Sequence, residues 1–154
     1  MTKKKSKIKK TLVEQILDKE NIPYEGMILN ALDDSKRPDG VYKTLALIGD
    51  KTGPVIGVLP ITEHLSYKKF AKVTGNKKVA MIPQKDLQKT TGYVHGANNP
   101  VGIWQRHKFP IYFESTALLA DDFIVSAGEL GRSIKINPKD LANFVEASFA
   151  DFKE

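Results

Sequence analysis

The sequence of 154 residues contains no cysteine. It therefore cannot form a disulfide framework, use a cysteine nucleophile or bind a metal through thiolates. No apolar run approaches the ~18 residues that span a membrane, and no apolar segment follows the basic start Met1-Thr2-Lys3-Lys4-Lys5 as it would in a signal peptide. We therefore expect no membrane partner, and the absence of cysteine is compatible with the cytoplasmic location that we predict.

The sequence also lacks the familiar local signatures of catalysis. It has no G-x-S-x-G turn, no P-loop and no G-x-G-x-x-G segment. The three histidines, His64, His95 and His107, do not have the spacing of metal ligands, although His95 could contact a substrate. We therefore predict no metal and no cofactor. Since no nucleophile–base pair is visible, an enzyme of this sequence would act by positioning and electrostatic stabilisation.

The composition is that of an ordinary globular protein, with 41% hydrophobic and 27% charged residues. The length predicts a single domain over residues 1–154, with residues 1–7 as a basic terminus. The net charge of +6 favours polyanionic partners. The lysines of the terminus could equally be a solvated chain end, whereas the dispersed basic pairs suit loose contact with RNA.

Hydrophobic periodicity predicts helices and strands that alternate without a regular βαβ rhythm. This favours the α+β class with a mixed sheet. The first helix is predicted over Lys9 to Glu20, with a Thr11–Glu14 capping box or an earlier start, and the last begins after Asn137 with Pro138 in its first turn. Other helical segments are predicted within residues 62–73, 85–91 and 116–119. Strands are predicted at residues 24–29, 41–48, 54–59, 79–82, 110–113, 123–126 and 133–136.

Lys43 is the first candidate for chemistry. It lies within an apolar segment, Val41 to Ile48, that is typical of an inner strand. An unpaired charge buried there is costly unless its ammonium reaches a cavity or an anionic ligand. The alternative is a lysine near the start of the strand that extends to water.

Two segments rich in small residues are the other candidates. The glycine loop, residues 96–102, reads Gly-Ala-Asn-Asn-Pro-Val-Gly, and such a loop lets a ligand approach the backbone closely. The glycine turn, Ser126 to Gly131, follows a strand and could bind an anion through consecutive N–H groups. Each could also be an ordinary turn.

The order of these segments resembles the YbaK/EbsC family, whose members are free-standing relatives of the editing domain of bacterial prolyl-tRNA synthetase. The resemblance runs from Ile8 to Phe152 and depends on Tyr42-Lys43-Thr44-Leu45, Thr90-Thr91-Gly92-Tyr93 before the glycine loop, Val125-Ser126-Ala127-Gly128 with Gly131, and Asn137-Pro138-Lys139-Asp140-Leu141. It implies a strongly curved mixed sheet or barrel surrounded by helices. It also implies deacylation in trans of misacylated tRNA, most often Cys-tRNA(Pro) or Cys-tRNA(Cys), with prolyl-tRNA synthetase as a further partner.

The resemblance also implies the roles of individual residues. The family's signature lysine corresponds to Lys43 as the catalytic residue, and the substrate's own thiol attacks its ester. The substrate-binding residues would be Thr44, Gly96, Ala97, Asn98, Asn99, Pro100, Gly102, Ser126, Ala127, Gly128 and Gly131. Leu29 and Ser133 stand where some members carry an aromatic and an acidic residue, which leaves open the removal of alanine or serine by water. A non-catalytic module that binds tRNA or a synthetase, and a small-molecule enzyme on the same scaffold, are further alternatives.

Overall fold

The computed structural model describes residues 9–29 and 37–154. The helices are α1 (Leu12–Lys19), α2 (Tyr67–Thr74), α3 (Gln84–Thr91), α4 (Pro100–His107) and α5 (Pro138–Val145), with a 3-10 helix at Ser115–Leu119. The strands are β1 (Glu25–Ile28), β2 (Tyr42–Gly49), β3 (Gly53–Pro60), β4 (Val79–Met81), β5 (Ile111–Glu114), β6 (Phe123–Ser126), β7 (Arg132–Ile136) and β8 (Ser148–Ala150).

Local capping fixes where the first helix begins. The Glu14 N–H donates to Thr11 Oγ1 at 3.1 Å, and the Thr11 N–H donates to Glu14 Oε1 at 2.8 Å. This capping box satisfies N–H groups that the first turn would leave without acceptors. The predicted capping box is therefore confirmed. The predicted start at Lys9 is wrong, because Thr11 is the N-cap and the helix begins at Leu12.

The strands form two sheets that meet at one point. The order is β1-β7-β6 in the three-stranded sheet and β4-β2-β3-β5-β8 in the five-stranded sheet. A parallel bridge between Val41 and Ile124 joins β6 to the start of β2, and the Ile124 N–H donates to the Gly40 carbonyl at 2.8 Å. The α+β class with a mixed sheet is confirmed, because β2 and β3 pair antiparallel while β3, β5 and β8 run parallel.

Strand β2 is an inner strand with a hydrophobic cluster on each face. Tyr42 and Ala46 belong to the larger cluster, which includes residues of α1, α4, β6 and α5. Leu47 belongs to the second cluster, which contains Phe70 of α2 and Phe152 near the C-terminus. Both faces of β2 are thus apolar, as its sequence predicts, and a lysine in this strand is correspondingly exceptional.

Two elements differ from the prediction. Residues 100–102 of the glycine loop form the first turn of α4, because Asn99 caps the helix and Pro100 occupies its first position. Phe149 lies in β8, a strand for which the sequence analysis makes no prediction and which pairs with β5. The predicted basic terminus, residues 1–7, lies outside the described residues. In the described part of the chain, no helix is long and apolar enough to cross a membrane.

Candidate active site

A cavity of about 760 Å³ opens where the two sheets meet. One wall is Val41 with the first part of β2, from Tyr42 to Ala46, and the ends of β1, β6 and β7 form another wall. The start of α3 and the glycine loop complete the lining through Gln84, His95 and Asn98. The volume lies within the range of about 300–1,000 Å³ that is typical of small-molecule sites. The cavity is therefore large enough to hold one end of a larger ligand.

The charge of the cavity lining is of one sign. Most of the wall is apolar, and the cationic lining residues are Arg37, Lys43 and Arg132, beside His95. No aspartate or glutamate lines the cavity within residues 9–29 and 37–154. Such a lining favours a ligand that is anionic or that develops negative charge during reaction.

Lys43 lies in this lining, half-buried on β2 opposite Leu59 of β3. Burial lowers the pKa of its ammonium below 10.5, and the nearby Glu63 carboxylate partly opposes that shift. Among the described residues, no hydrogen bond or ion pair engages the ammonium. Its donors are therefore available to a ligand in the cavity.

Two buried polar atoms at the cavity have no partner in the described part of the protein. They are Thr44 Oγ1 and Asn98 Oδ1, and both residues line the cavity. A buried polar atom without a hydrogen bond costs free energy, so most such atoms in proteins are paired. Their presence in the lining of one cavity indicates that a ligand supplies the missing hydrogen bonds.

The glycine loop contributes only its first part to the cavity. Gly96 and Asn98 line the cavity, whereas Asn99 is fully buried and caps α4. The Ala97 N–H donates to the Val94 carbonyl at 3.0 Å, and the Gly102 N–H donates to Asn99 Oδ1 at 2.6 Å. The N–H groups of Gly96 and Asn98 have no acceptor within the described residues. Because both residues line the cavity, these two N–H groups are available to a substrate oxygen.

The glycine turn is held mainly by its own hydrogen bonds. The Gly128 N–H donates to Ser126 Oγ at 3.1 Å, and the Ala127 N–H donates to the Arg132 carbonyl at 2.9 Å. A Cβ placed on Gly128, whose φ is 93°, would lie 3.3 Å from Asn99 Nδ2. Gly128 therefore lets the glycine turn pack directly against the glycine loop.

The predicted catalytic and substrate-binding residues accordingly divide into two groups. The cavity is lined by Lys43, Thr44, Gly96, Asn98, Ser126 and Gly131. The remaining predicted residues do not line the cavity, namely Ala97, Asn99, Pro100, Gly102, Ala127 and Gly128. Leu29 and Ser133, which depart from the family pattern, also line the cavity, as does His95.

Arg132 is a lining residue to which the sequence analysis gave no role. Its Nη2 donates to Glu14 Oε1 at 3.0 Å, and its Nη1 donates to the Lys9 carbonyl at 3.0 Å. The ion pair is largely buried and joins α1 to β7 at the edge of the cavity. No local sequence pattern reveals this ion pair, since Glu14 and Arg132 are 118 residues apart in the sequence.

The described residues contain neither a metal-binding cluster of three or more histidine and acidic residues nor a paired nucleophile. The hydroxyl-bearing residues that line the cavity are Tyr42, Thr44, Ser126 and Ser133, and the Tyr42 hydroxyl is hydrogen-bonded to Thr116 Oγ1 at 2.7 Å. Within the described chain, none of them hydrogen-bonds to His95 or to a carboxylate. The arrangement can orient and polarise a bound group, but it holds no side chain activated for attack.

Comparison with known proteins gives the family. Residues 29–144 match the family described as the aminoacyl-tRNA editing domain. The chain is also 35% identical over 162 residues to the Enterococcus faecalis (strain ATCC 700802 / V583) protein named "Putative Cys-tRNA(Pro)/Cys-tRNA(Cys) deacylase EbsC", an alignment that covers 98% of this chain and 97% of that protein.

Solved structures share the fold at lower identity. One is described as "a putative trans-editing enzyme for prolyl tRNA synthetase", with a TM-score of 0.73, 21% identity and coverage of 85% of this chain and 87% of that one. Another, hypothetical protein APE2540, has a TM-score of 0.80 and 18% identity over 92% of this chain and 99% of that one. The resemblance to the YbaK/EbsC family is therefore confirmed, and this chain is an aminoacyl-tRNA editing enzyme that belongs to the aminoacyl-tRNA editing domain family.

Proposed function

We propose that this editing enzyme removes cysteine from misacylated tRNA in trans, with Cys-tRNA(Pro) and Cys-tRNA(Cys) as its substrates. The similarity to the EbsC protein, whose name gives those two substrates, supports the choice of amino acid. The cavity would hold the 3′-terminal adenosine with its aminoacyl ester, which is the part of a charged tRNA that a site of this size admits.

The observation that carries the proposal is a cavity with free cationic and N–H donors but no activated nucleophile. Lys43 offers its ammonium, and Gly96 and Asn98 offer their N–H groups. Cysteine differs from alanine and serine because it brings a thiol that can attack the ester within the same molecule. A site that positions and polarises is then sufficient, because an intramolecular attack in the right geometry gains a large effective concentration.

The reaction would proceed in two steps. The cysteinyl sulfur bonds to its own carbonyl carbon, the bond from that carbon to the ribose oxygen breaks, and the thiol proton ends on the released ribose hydroxyl. Water then opens the cyclic thioester to free cysteine. Lys43 and the N–H groups of the glycine loop would stabilise the negative charge that develops on the carbonyl oxygen in the first step.

A deacylation panel tests the proposal. The wild-type protein is incubated with tRNA(Pro) charged with cysteine, alanine, serine or proline, and release of each amino acid is compared with its uncatalysed rate. We expect turnover of the cysteine ester and a much smaller effect on the other three. Equal turnover of the alanine ester would contradict the thiol mechanism, and no turnover of any ester would favour a binding module.

We further propose that prolyl-tRNA synthetase recruits this protein to its substrate. The solved structure described as a trans-editing enzyme for that synthetase supports this partner through its shared fold. The cavity itself has room only for the end of the tRNA, so an identity signal must come from elsewhere. Sedimentation of the protein with the synthetase, with and without tRNA(Pro), should show a complex, and two independent boundaries would contradict the association.

A further inference from the structure

Asn98 has a fixed orientation that leaves its side-chain carbonyl without a donor. Its Nδ2 donates to the Val94 carbonyl at 3.2 Å. Because a backbone carbonyl can only accept, the amide must place its NH₂ there, and Oδ1 must take the other position. That oxygen is buried, and no donor reaches it within the described residues, although Asn98 lines the cavity. Oδ1 therefore requires a donor from the ligand.

The same residue offers a second unused group. The Asn98 backbone N–H has no acceptor within the described part of the protein. Asn98 thus presents one donor and one acceptor, separated by its own short side chain. An aminoacyl ester has the complementary pair, since its carbonyl oxygen and its α-amino group are separated by only two carbon atoms.

The charge of the cavity bears on the form of the amine. Carboxylates are the usual partners of an ammonium group, and none lines the cavity in residues 9–29 and 37–154. The lining holds the Lys43 ammonium, which would repel a second ammonium in the same cavity. A neutral amide oxygen suits a neutral amine, which donates a hydrogen bond without bringing a second positive charge.

We propose that Asn98 is the residue that recognises the α-amino group, with Oδ1 accepting from the amine and the backbone N–H donating to the ester carbonyl. This inference rests on the proposed deacylase function and deepens it. It makes the free amino group a requirement for rapid cleavage, and so the enzyme would act on aminoacyl esters in preference to acyl esters that lack the amine.

Two esters test this directly. Cys-tRNA(Pro) is compared with tRNA(Pro) carrying 3-mercaptopropionate, which keeps the thiol and replaces the amino group by hydrogen. Each enzymatic rate is divided by the uncatalysed rate of the same ester, so that the effect of the amine on intrinsic reactivity cancels. We expect the enhancement by the wild-type protein to fall about tenfold on the ester without the amine, the loss typical of one buried hydrogen bond.

The variant Asn98→Leu completes the cycle. The rate enhancement of this variant on Cys-tRNA(Pro) should be about tenfold lower than that of the wild type. The enhancement should also be the same on both esters, because the variant lacks the hydrogen bond to the amine. If removing the amine and substituting Asn98 each lower the enhancement independently, so that the two losses add, the inference is overturned. Two other donors of the terminal adenosine could reach Asn98 Oδ1, namely the ribose 2′-hydroxyl and the 6-amino group of the base. A terminal 2′-deoxyadenosine removes the first donor, and a terminal purine riboside removes the second. If the effect of Asn98→Leu on the rate disappears with either substrate, the inference is overturned.

The outcome remains decisive if Asn98→Leu does not fold, since that variant also loses the hydrogen bond to Val94. The comparison of the two esters then uses the wild-type protein alone, and equal enhancement on both would overturn the inference. Failure of the proposed function is distinguishable, because the wild-type protein would then cleave neither ester, and the inference would fall with it.

Discussion

The side-chain carbonyl of Asn99 accepts a hydrogen bond from the Gly102 N–H at 2.6 Å, and this contact ends the glycine loop and begins helix α4. Asn99 Nδ2 also donates to the Ala97 carbonyl at 3.1 Å. One fully buried side chain therefore ties both ends of the segment that carries Asn98. The backbone that faces the cavity is held in place by a helix cap.

Asn99→Ala should lower both stability and activity. Removing an asparagine cap costs about 1–2 kcal/mol in the free energy of unfolding. Because the cap also fixes the conformation of residues 96–98, we expect the deacylation rate to fall at least tenfold, with the rate measured well below the temperature of unfolding.

Asn137→Ala is a matched control for this prediction. Asn137 also precedes a proline, its Oδ1 accepts from the N–H groups of Lys139 and Asp140 at 2.9 Å, and its Nδ2 donates to a backbone carbonyl. It does not line the cavity. We expect a similar loss of stability and an unchanged deacylation rate. Equal loss of activity in the two variants would show that the effect of Asn99 comes only from instability.

Lys43→Met should abolish deacylation while the protein remains folded. Methionine keeps most of the apolar stem and removes the ammonium, so the apolar lining is preserved while the cation is lost. We expect the rate on Cys-tRNA(Pro) to approach the uncatalysed rate. Lys68→Met, at an exposed position on α2, should retain the parental rate. A parental rate for Lys43→Met would contradict the catalytic assignment.

The stability of the wild-type protein should depend on pH through Lys43. Burial lowers the pKa of this group below 10.5, so the unfolded chain binds more protons than the folded chain between the lowered pKa and 10.5. Stability from this group therefore rises as pH increases across that window. Urea denaturation from pH 7 to pH 10 should show Lys43→Met more stable than the wild type at pH 7, with a difference that shrinks toward pH 10. A constant difference would contradict the burial of a charged ammonium.

Thr44→Val should stabilise the protein and lower its deacylation rate. The Thr44 hydroxyl is buried without a partner within the described residues, and valine has the same shape. Removing an unsatisfied hydroxyl stabilises by about 1 kcal/mol, which corresponds to about 2–4 °C in Tm for a chain of this size. If the hydroxyl binds substrate, the deacylation rate should fall about tenfold.

Thr74→Val provides the opposite case. The Thr74 hydroxyl donates to the Phe70 carbonyl at 2.7 Å and accepts from Asn76 Nδ2 at 2.8 Å. Valine there removes both of these hydrogen bonds and leaves Asn76 Nδ2 with Thr52 Oγ1 as its acceptor at 3.1 Å, so Tm should fall while the deacylation rate is unchanged. A rise in Tm for Thr44→Val with no loss of rate would mean that its hydroxyl has no part in substrate binding.

Glu14→Gln should destabilise the protein through Arg132. The side chain of Glu14 is 6% exposed and that of Arg132 is 19% exposed, so the ion pair is largely withdrawn from water. Removing one partner of such a pair leaves the other charge uncompensated, at a cost of about 3–5 kcal/mol in the free energy of unfolding. Asp18→Asn, which breaks the exposed pair with Lys10, should cost less than about 1 kcal/mol. Equal costs in urea denaturation would show that the Arg132 pair is solvated.

Local signals allowed much of the fold to be predicted. The capping box of Thr11 and Glu14, the Asn137–Pro138 start of α5 and the hairpin between β2 and β3 each depend on residues close together in sequence. The start of α4 has the same Asn-Pro pair, Asn99 and Pro100, but the two glycines of the segment led to the prediction of a loop. Strand β8 could not be predicted, because three residues form a strand only where β5 offers its edge.

The candidate site divides in the same way. By itself the sequence determined that a lysine would lie within an apolar strand, because residues 41–48 are apolar on both alternating faces. It also determined that no cysteine takes part and that the protein carries excess positive charge. Only the tertiary structure decided which small residues line the cavity and which support it, since that depends on how the glycine loop and the glycine turn pack against each other at Gly128. The unpaired atoms of Thr44 and Asn98 belong to the same category, because a missing hydrogen-bond partner is a property of the whole fold and not of any one segment.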